Sequence, residues 1–206
     1  MDSLSSSLTP GAIALPALAF ISILLDIPPI AWHIKNRNLA ATSLLFWIIM
    51  SNVFNFVNAL IWPTDDLMIW WHGLVFCDIE VKLMLAATLG VTGSLACIMR
   101  NLAMVLDTDR TVLAPSQGQR RTRLIMDILL CFGGSIYLMV IHYIVQPNRY
   151  YIFAITGCTP SFDNSWPSIA LVFIWPPIMC LLDVYYSGKS TISLNPPLHT
   201  NLLQSS

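Results

Sequence analysis

Cys77 and Cys158 are the residues whose chemistry is most constrained by their setting. Cys77 stands in Trp70-Trp71-His72-Gly73-Leu74-Val75-Phe76-Cys77-Asp78-Ile79, at the head of a long apolar run, and Cys158 stands in a polar stretch between two such runs. If the runs cross a membrane, both thiols fall on one side of it. On an oxidising side they can join as a disulfide that persists. Cys97, Cys131 and Cys180 each lie singly inside apolar sequence, where a thiol is usually a small packing residue, and none has metal-ligand spacing. The predicted bond is therefore Cys77 to Cys158, with Cα atoms within about 7 Å.

Ionisable residues inside apolar sequence are few, so each counts. Asp78 and Lys82 are four apart on one helix face and are predicted to neutralise each other. Glu80 points roughly the opposite way and receives no role. Asp127 follows Arg123 by four residues, which predicts another local pair. Asp26, His142 and Asp183 have no evident partner. Asn52, Asn55 and Asn58 recur every third residue along one face, where hydrogen bonding between helices is preferred to ligand contact. No P-loop, GxSxG, HExxH or CxxC occurs, and no catalytic carboxylate pair is evident. Enzymatic chemistry, a metal centre and a cofactor are not expected.

Composition identifies the elements that hold these residues. Of 206 residues, 56% are hydrophobic and 10% charged, with a mean hydropathy of +0.68; a soluble domain carries about 25% charged residues. The expected solvent is a lipid bilayer. A net charge of −1 gives no reason to expect a nucleic-acid partner. Five apolar runs, at about residues 11–32, 39–61, 76–104, 124–145 and 166–186, each suffice for a hydrocarbon core of about 30 Å. Residues 1–10 carry no Lys or Arg, whereas His33, Lys35 and Arg37 follow the first run. Arg110, Arg120, Arg121 and Arg123 fall between the third and fourth runs and Lys189 after the fifth, against Arg149 with Asp65, Asp66 and Asp163 on the other side. This bias predicts an uncleaved anchor with the N-terminus extracellular and the C-terminus cytoplasmic.

The expected fold is an all-α polytopic membrane bundle of five helices. Residues 1–10 form an extracellular N-terminus, 11–186 the bundle, and 187–206 a disordered cytoplasmic tail; residues 108–119 also read as disordered. Pro28 and Pro29 predict either a kink or the end of the first helix. Trp62, Trp70, Trp71, Trp166, Tyr150 and Tyr151 read as an aromatic belt at the membrane boundary.

A distributed set of motifs resembles one family. Pro28-Pro29-Ile30-Ala31-Trp32-His33 closes the first helix, Ile61-Trp62 the second, and Trp71-x-Gly73 with Cys77-Asp78-Ile79-x-x-Lys82 opens the third. Cys97-Ile98-x-Arg100-Asn101-Leu102, Arg120-Arg121 with Asp127, Tyr143-x-Val145-Gln146-x-x-Arg149-Tyr150, Gly157-Cys158 and Trp166-Pro167 follow in order. Over about residues 10 to 186 the chain is similar to fungal mating-pheromone receptors for lipid-modified, a-factor-type peptides, a branch of the seven-helix G-protein-coupled receptors. That resemblance implies a plasma-membrane receptor whose partners are a lipidated peptide pheromone and a heterotrimeric G protein. It also implies pheromone contact at Trp71, Asp78 and Lys82, and a G-protein-facing surface at Arg100, Arg120 and Arg121. Arg100 lies about 35 Å along the helix from Cys77, at its cytoplasmic end.

The sequence departs from the family in stopping after the fifth helix. A truncated, signalling-deficient receptor is therefore expected. The alternative is a small transporter or proton-conducting protein using Asp26, Glu80, His142 and Asp183, although no internal symmetry supports it.

Overall fold

The computed structural model describes residues 10–64, 70–106 and 116–194, so Asp65, Asp66 and Arg110 lie outside the described residues. Five long helices follow in chain order. They are α1 (Pro10–Lys35), α2 (Leu39–Ile61), α3 (Leu74–Leu106), α4 and α5. Helix α4 joins Gln117–Ile128, a π-helical turn Leu129–Gly133, and Gly134–Val145; α5 joins Trp166–Ser168, a π-helical turn Ile169–Phe173, and Trp175–Leu194. Between α4 and α5 the chain forms a hairpin of β1 (Tyr151–Phe153) and β2 (Gly157–Thr159), with Ile152 opposite Cys158.

Four stretches, Gly11–Lys35, Leu39–Ile61, Gln117–Val145 and Trp166–Ile192, are long and apolar enough to cross a membrane. Their outward faces carry Leu18, Leu25, Val140, Ile144, Leu181 and Val184, the inverse of a soluble bundle. Helix α3 is different. It carries Asp78, Glu80, Lys82 and Arg100 and packs against α2, α4 and α5, whereas α1 packs on α2. Its 33 residues extend about 50 Å, more than the hydrocarbon thickness. Together these helices form the expected all-α polytopic membrane bundle.

Local sequence sets the helix ends. Asn38 caps α2 by accepting from the Ala41 amide at 3.3 Å. Ser116 and Gln119 form a reciprocal capping box, so α4 starts at Gln117 and Arg120, Arg121 and Arg123 occupy its first turns instead of a loop. Pro28 and Pro29 do not end α1, which continues to Lys35; membrane helices tolerate proline where neighbours supply hydrogen bonds. Helix α5 runs to Leu194, past Tyr186, where the apolar run ends.

Both π-helical turns release a carbonyl to a neighbouring aromatic side chain. Trp47 Nε1 donates to the Cys131 carbonyl at 3.2 Å, and Tyr137 Oη donates to the Leu171 carbonyl at 3.3 Å. Gly90 makes the first contact possible, because a Cβ there would occupy the Trp47 ring. The asparagine face joins helices as expected: Asn52 Nδ2 on α2 donates to Ser22 Oγ on α1 at 3.2 Å.

Candidate functional site at the hairpin end

Cys77 and Cys158 are disulfide-bonded, with Cα atoms 5.2 Å apart, so the expected pairing is present. The bond ties β2 to the first turn of α3, and both cysteines are buried with Trp62, Val81 and Leu85. Further bonds hold the hairpin down. The Ile155 amide donates to the Trp62 carbonyl at 2.8 Å, and Tyr150 Oη to the His72 carbonyl at 3.1 Å. Asn58 Nδ2, on α2, donates to the Thr156 carbonyl at 2.8 Å and to Glu80 on α3. Gly157 sits at φ +79°, and a Cβ there would occupy the Asn58 amide, so this close approach requires glycine.

The predicted Asp78–Lys82 pair does not form. Asp78 Oδ2 pairs instead with Arg149 Nη2 at 2.6 Å, across the step from α3 to the start of the hairpin. Lys82 Nζ turns to α4, where it lies 2.8 Å from His142 Nδ1 and 3.0 Å from Gln146 Oε1, with the Tyr143 ring centroid 5.7 Å away. His142 Nε2 is 3.2 Å from the Ser161 carbonyl and so carries the proton, which leaves Nδ1 as an acceptor for the ammonium. His142 is thereby explained as a fully buried bridge from α3 to the segment before α5.

Trp71 is exposed, and its ring stacks on the fully buried Trp62 with centroids 6.4 Å apart. Trp62 therefore does not belong to a lipid-facing belt; its Nε1 donates to the Trp71 carbonyl at 3.2 Å. A cleft of about 710 Å³ with mainly apolar walls lies beside Trp71, His72 and Val75. Trp71, Asp78 and Lys82 thus share one end of the bundle, but the two charges have separate partners. Glu80, given no role from sequence, is fully buried in the seam between α2, α3 and β2. Cys77, Cys158 and Glu80 lie close together, yet the disulfide leaves no thiolate for a metal.

At the opposite end, Arg100 Nη1 pairs with Asp127 Oδ1 at 3.1 Å, with both side chains less than one-fifth exposed. The expected Arg123–Asp127 pair is replaced by this contact between α3 and α4. Cys97 Sγ also donates to Asp127 Oδ1 at 3.1 Å, so this thiol belongs to a polar cluster. Arg120 and Arg121 are exposed. Asp26 accepts from Ser22 Oγ at 3.4 Å. Asp183 borders a groove of about 470 Å³ with Leu95, Met99 and Ser187, and its Oδ1 has no hydrogen-bond partner among the described residues.

Compared with known proteins, residues 14–196 match the family described as "Pheromone A receptor" (STE3). The chain belongs to the pheromone A receptor family. It is similar to the "Pheromone a factor receptor" of Saccharomyces cerevisiae, 28% identical over 174 residues that make up 84% of this chain and 36% of that protein. It is also similar to "Pheromone receptor 1" of Mycosarcoma maydis, 30% identical over 84% of this chain and 47% of the relative. For the "Pheromone B alpha 2 receptor" of Schizophyllum commune the identity is 27%, over 91% of this chain and 28% of the relative. The chain thus spans less than half the length of each of these relatives. No solved structure matches it. Family membership and the apolar helices together make this pheromone A receptor family member a multi-pass membrane protein.

Proposed function

We propose that the chain serves in a mating-pheromone receptor of the plasma membrane, coupled to a heterotrimeric G protein and responsive to a lipidated peptide. The observation that carries this reading is the family match across residues 14–196. The hairpin end faces the cell exterior, in keeping with the disulfide's need for an oxidising compartment. Residues 1–10 lie outside the cell and the chain beyond α5 in the cytoplasm. Trp71 and the cleft beside it offer apolar surface to the ligand, with Asp78 and Lys82 as the charged groups at its margin. Arg120 and Arg121 face the G protein at the opposite end, and Arg100, held by Asp127, supports that surface.

Three of the four residues on which a transporter reading leaned have local partners: Asp26 with Ser22, Glu80 with Asn58, and His142 with Lys82. The receptor reading is tested by a chimera. Residues 1–194 are joined to the remainder of the Saccharomyces cerevisiae relative and expressed in cells lacking their own receptor, with a panel of S-prenylated peptides and a pheromone-response reporter. The expected result is a response to at least one peptide that is lost on Trp71→Ala. A chimera that reaches the cell surface and answers none of them overturns the proposal.

A further inference from the structure

We infer that Glu80 is held as a neutral carboxylic acid bonded to Asn58, and that this acid–amide pair is the latch seating the β1–β2 hairpin on α2 and α3. Both side chains are fully buried. Asn58 Nδ2 donates to the Thr156 carbonyl at 2.8 Å and to Glu80 Oε1. These two acceptors fix the orientation of the amide, because turning it over would set Oδ1 against both.

Two atoms are left over. Asn58 Oδ1 and Glu80 Oε2 are buried and have no hydrogen-bond partner among the described residues. Buried polar atoms are nearly always hydrogen-bonded, and of the seven exceptions among the described residues these two belong to side chains already bonded to each other. As a carboxylate, Glu80 offers only acceptors; the Cys158 backbone amide of β2 approaches this carboxyl group and favours its charged form, but it makes no hydrogen bond to Oε2, and Asn58 Oδ1 is left without any donor. A proton on Oε2 supplies the donor that Asn58 Oδ1 lacks, and one proton satisfies both orphans. The acid then presents one O–H and one C=O to the amide's C=O and N–H, closing a ring of two hydrogen bonds.

Surrounding charges leave this arrangement alone. Among the described residues Glu80 makes no ion pair; Lys82 is turned to His142 and Gln146, and Asp78 to Arg149. The other elements packed on the seam present Trp62 from α2 and the Cys77–Cys158 disulfide from α3 and β2, none of them charged. An isolated carboxylate is strongly disfavoured in such surroundings.

Glu80 is thus a positioning residue that acts on the hairpin through Asn58. Removing its proton sets negative charge against Asn58 Oδ1 and draws the amide away from Thr156. The bearing of the latch on ligand binding rests on the receptor reading above, whereas the latch itself does not.

Glu80 is the sole glutamate in the sequence, so carboxyl-¹³C glutamate labelling reports on it alone. The full 206-residue chain, in phosphatidylcholine nanodiscs at neutral pH, should show one isotope-shifted carboxylic-acid band in the infrared and no labelled carboxylate band. A labelled carboxylate band overturns the inference. So does a carboxylate band that responds to sodium or calcium, which would make the pocket a cation site. Amide hydrogen exchange at Ile155 to Cys158 supplies the second readout. Glu80→Gln, whose amide can bond both faces of Asn58, should exchange within about twofold of wild type, whereas Glu80→Ala should exchange at least about tenfold faster. If Glu80→Gln opens the hairpin as far as Glu80→Ala does, the latch as described is wrong. No ligand enters either measurement, so failure here is distinct from failure of the receptor reading.

Discussion

Removing the disulfide by Cys77→Ser with Cys158→Ser tests how much of the hairpin end depends on it. The bond closes a loop with a sequence separation of 81 residues. For a fully flexible chain, loop-closure entropy gives about 4.5 kcal/mol at 25 °C. That value is an upper bound, because helices in a bilayer stay formed and confined when their packing is lost, so the open loop has less freedom to regain. Asn58–Thr156, Ile155–Trp62, Asp78–Arg149 and Tyr150–His72 also continue to restrain the hairpin. The expected loss is therefore about 2–4 kcal/mol, or roughly 4–16 °C in Tm for a chain of this size. Thermal unfolding in nanodiscs of the wild type, the reduced wild type and the double-serine variant measures it. A double-serine variant melting within about 2 °C of the oxidised wild type would refute the reasoning, as would ready labelling of both native thiols by an impermeant maleimide on intact cells.

Arg100→Gln and Asp127→Asn should each destabilise the fold by about 2–4 kcal/mol, since each strands a largely buried charge. The double variant should recover about 1–3 kcal/mol of the sum in a thermal double-mutant cycle, and strict additivity would contradict the pairing. Gly157→Ala meets both a left-handed φ and the Asn58 amide, so it should cost about 1–3 kcal/mol and speed amide exchange in the hairpin. Trp47→Phe removes the donor to the Cys131 carbonyl and should cost about 1–3 kcal/mol in thermal unfolding. For orientation, Asn164→Cys should react with an impermeant maleimide on intact cells and Arg120→Cys only after permeabilisation; the reverse pattern would invert the bundle.

Features governed by local rules were legible in the sequence. Apolar runs long enough for a bilayer gave the helices, and two cysteines on one side of them gave the disulfide. Asn52 and Asn58 acted between helices, as an every-third-residue polar face suggests. Charge pairing was legible only in part, because spacing of four reports proximity along one helix and says nothing of neighbours elsewhere. Asp78 found Arg149, 71 residues away, and Asp127 found Arg100, 27 away; in each case a partner on another element displaced the local one. Glu80 escaped for the same reason, since its partner Asn58 lies on another helix and its burial depends on a hairpin. That hairpin has strands of three residues, too short for an alternating pattern to stand out. The one signal was an acid confined to apolar sequence three residues from Cys77, at the depth of the last asparagine of α2.

The separation of Cys77 from Cys158 also imposes an order on how the protein is made. At a synthesis rate of about 5–20 residues per second, the chain between the two cysteines takes roughly 4–16 s to emerge. Throughout that interval Cys77 is a free thiol open to mispairing, and Asn58 and Glu80 face each other without the hairpin that covers them. Helices α1 to α3 must therefore wait, inserted but uncapped, until α4 has crossed the membrane and delivered Thr156, Gly157 and Cys158 together. A substitution that slows insertion of α4 would leave its mark as a mispaired Cys77, at a position far from the substitution itself.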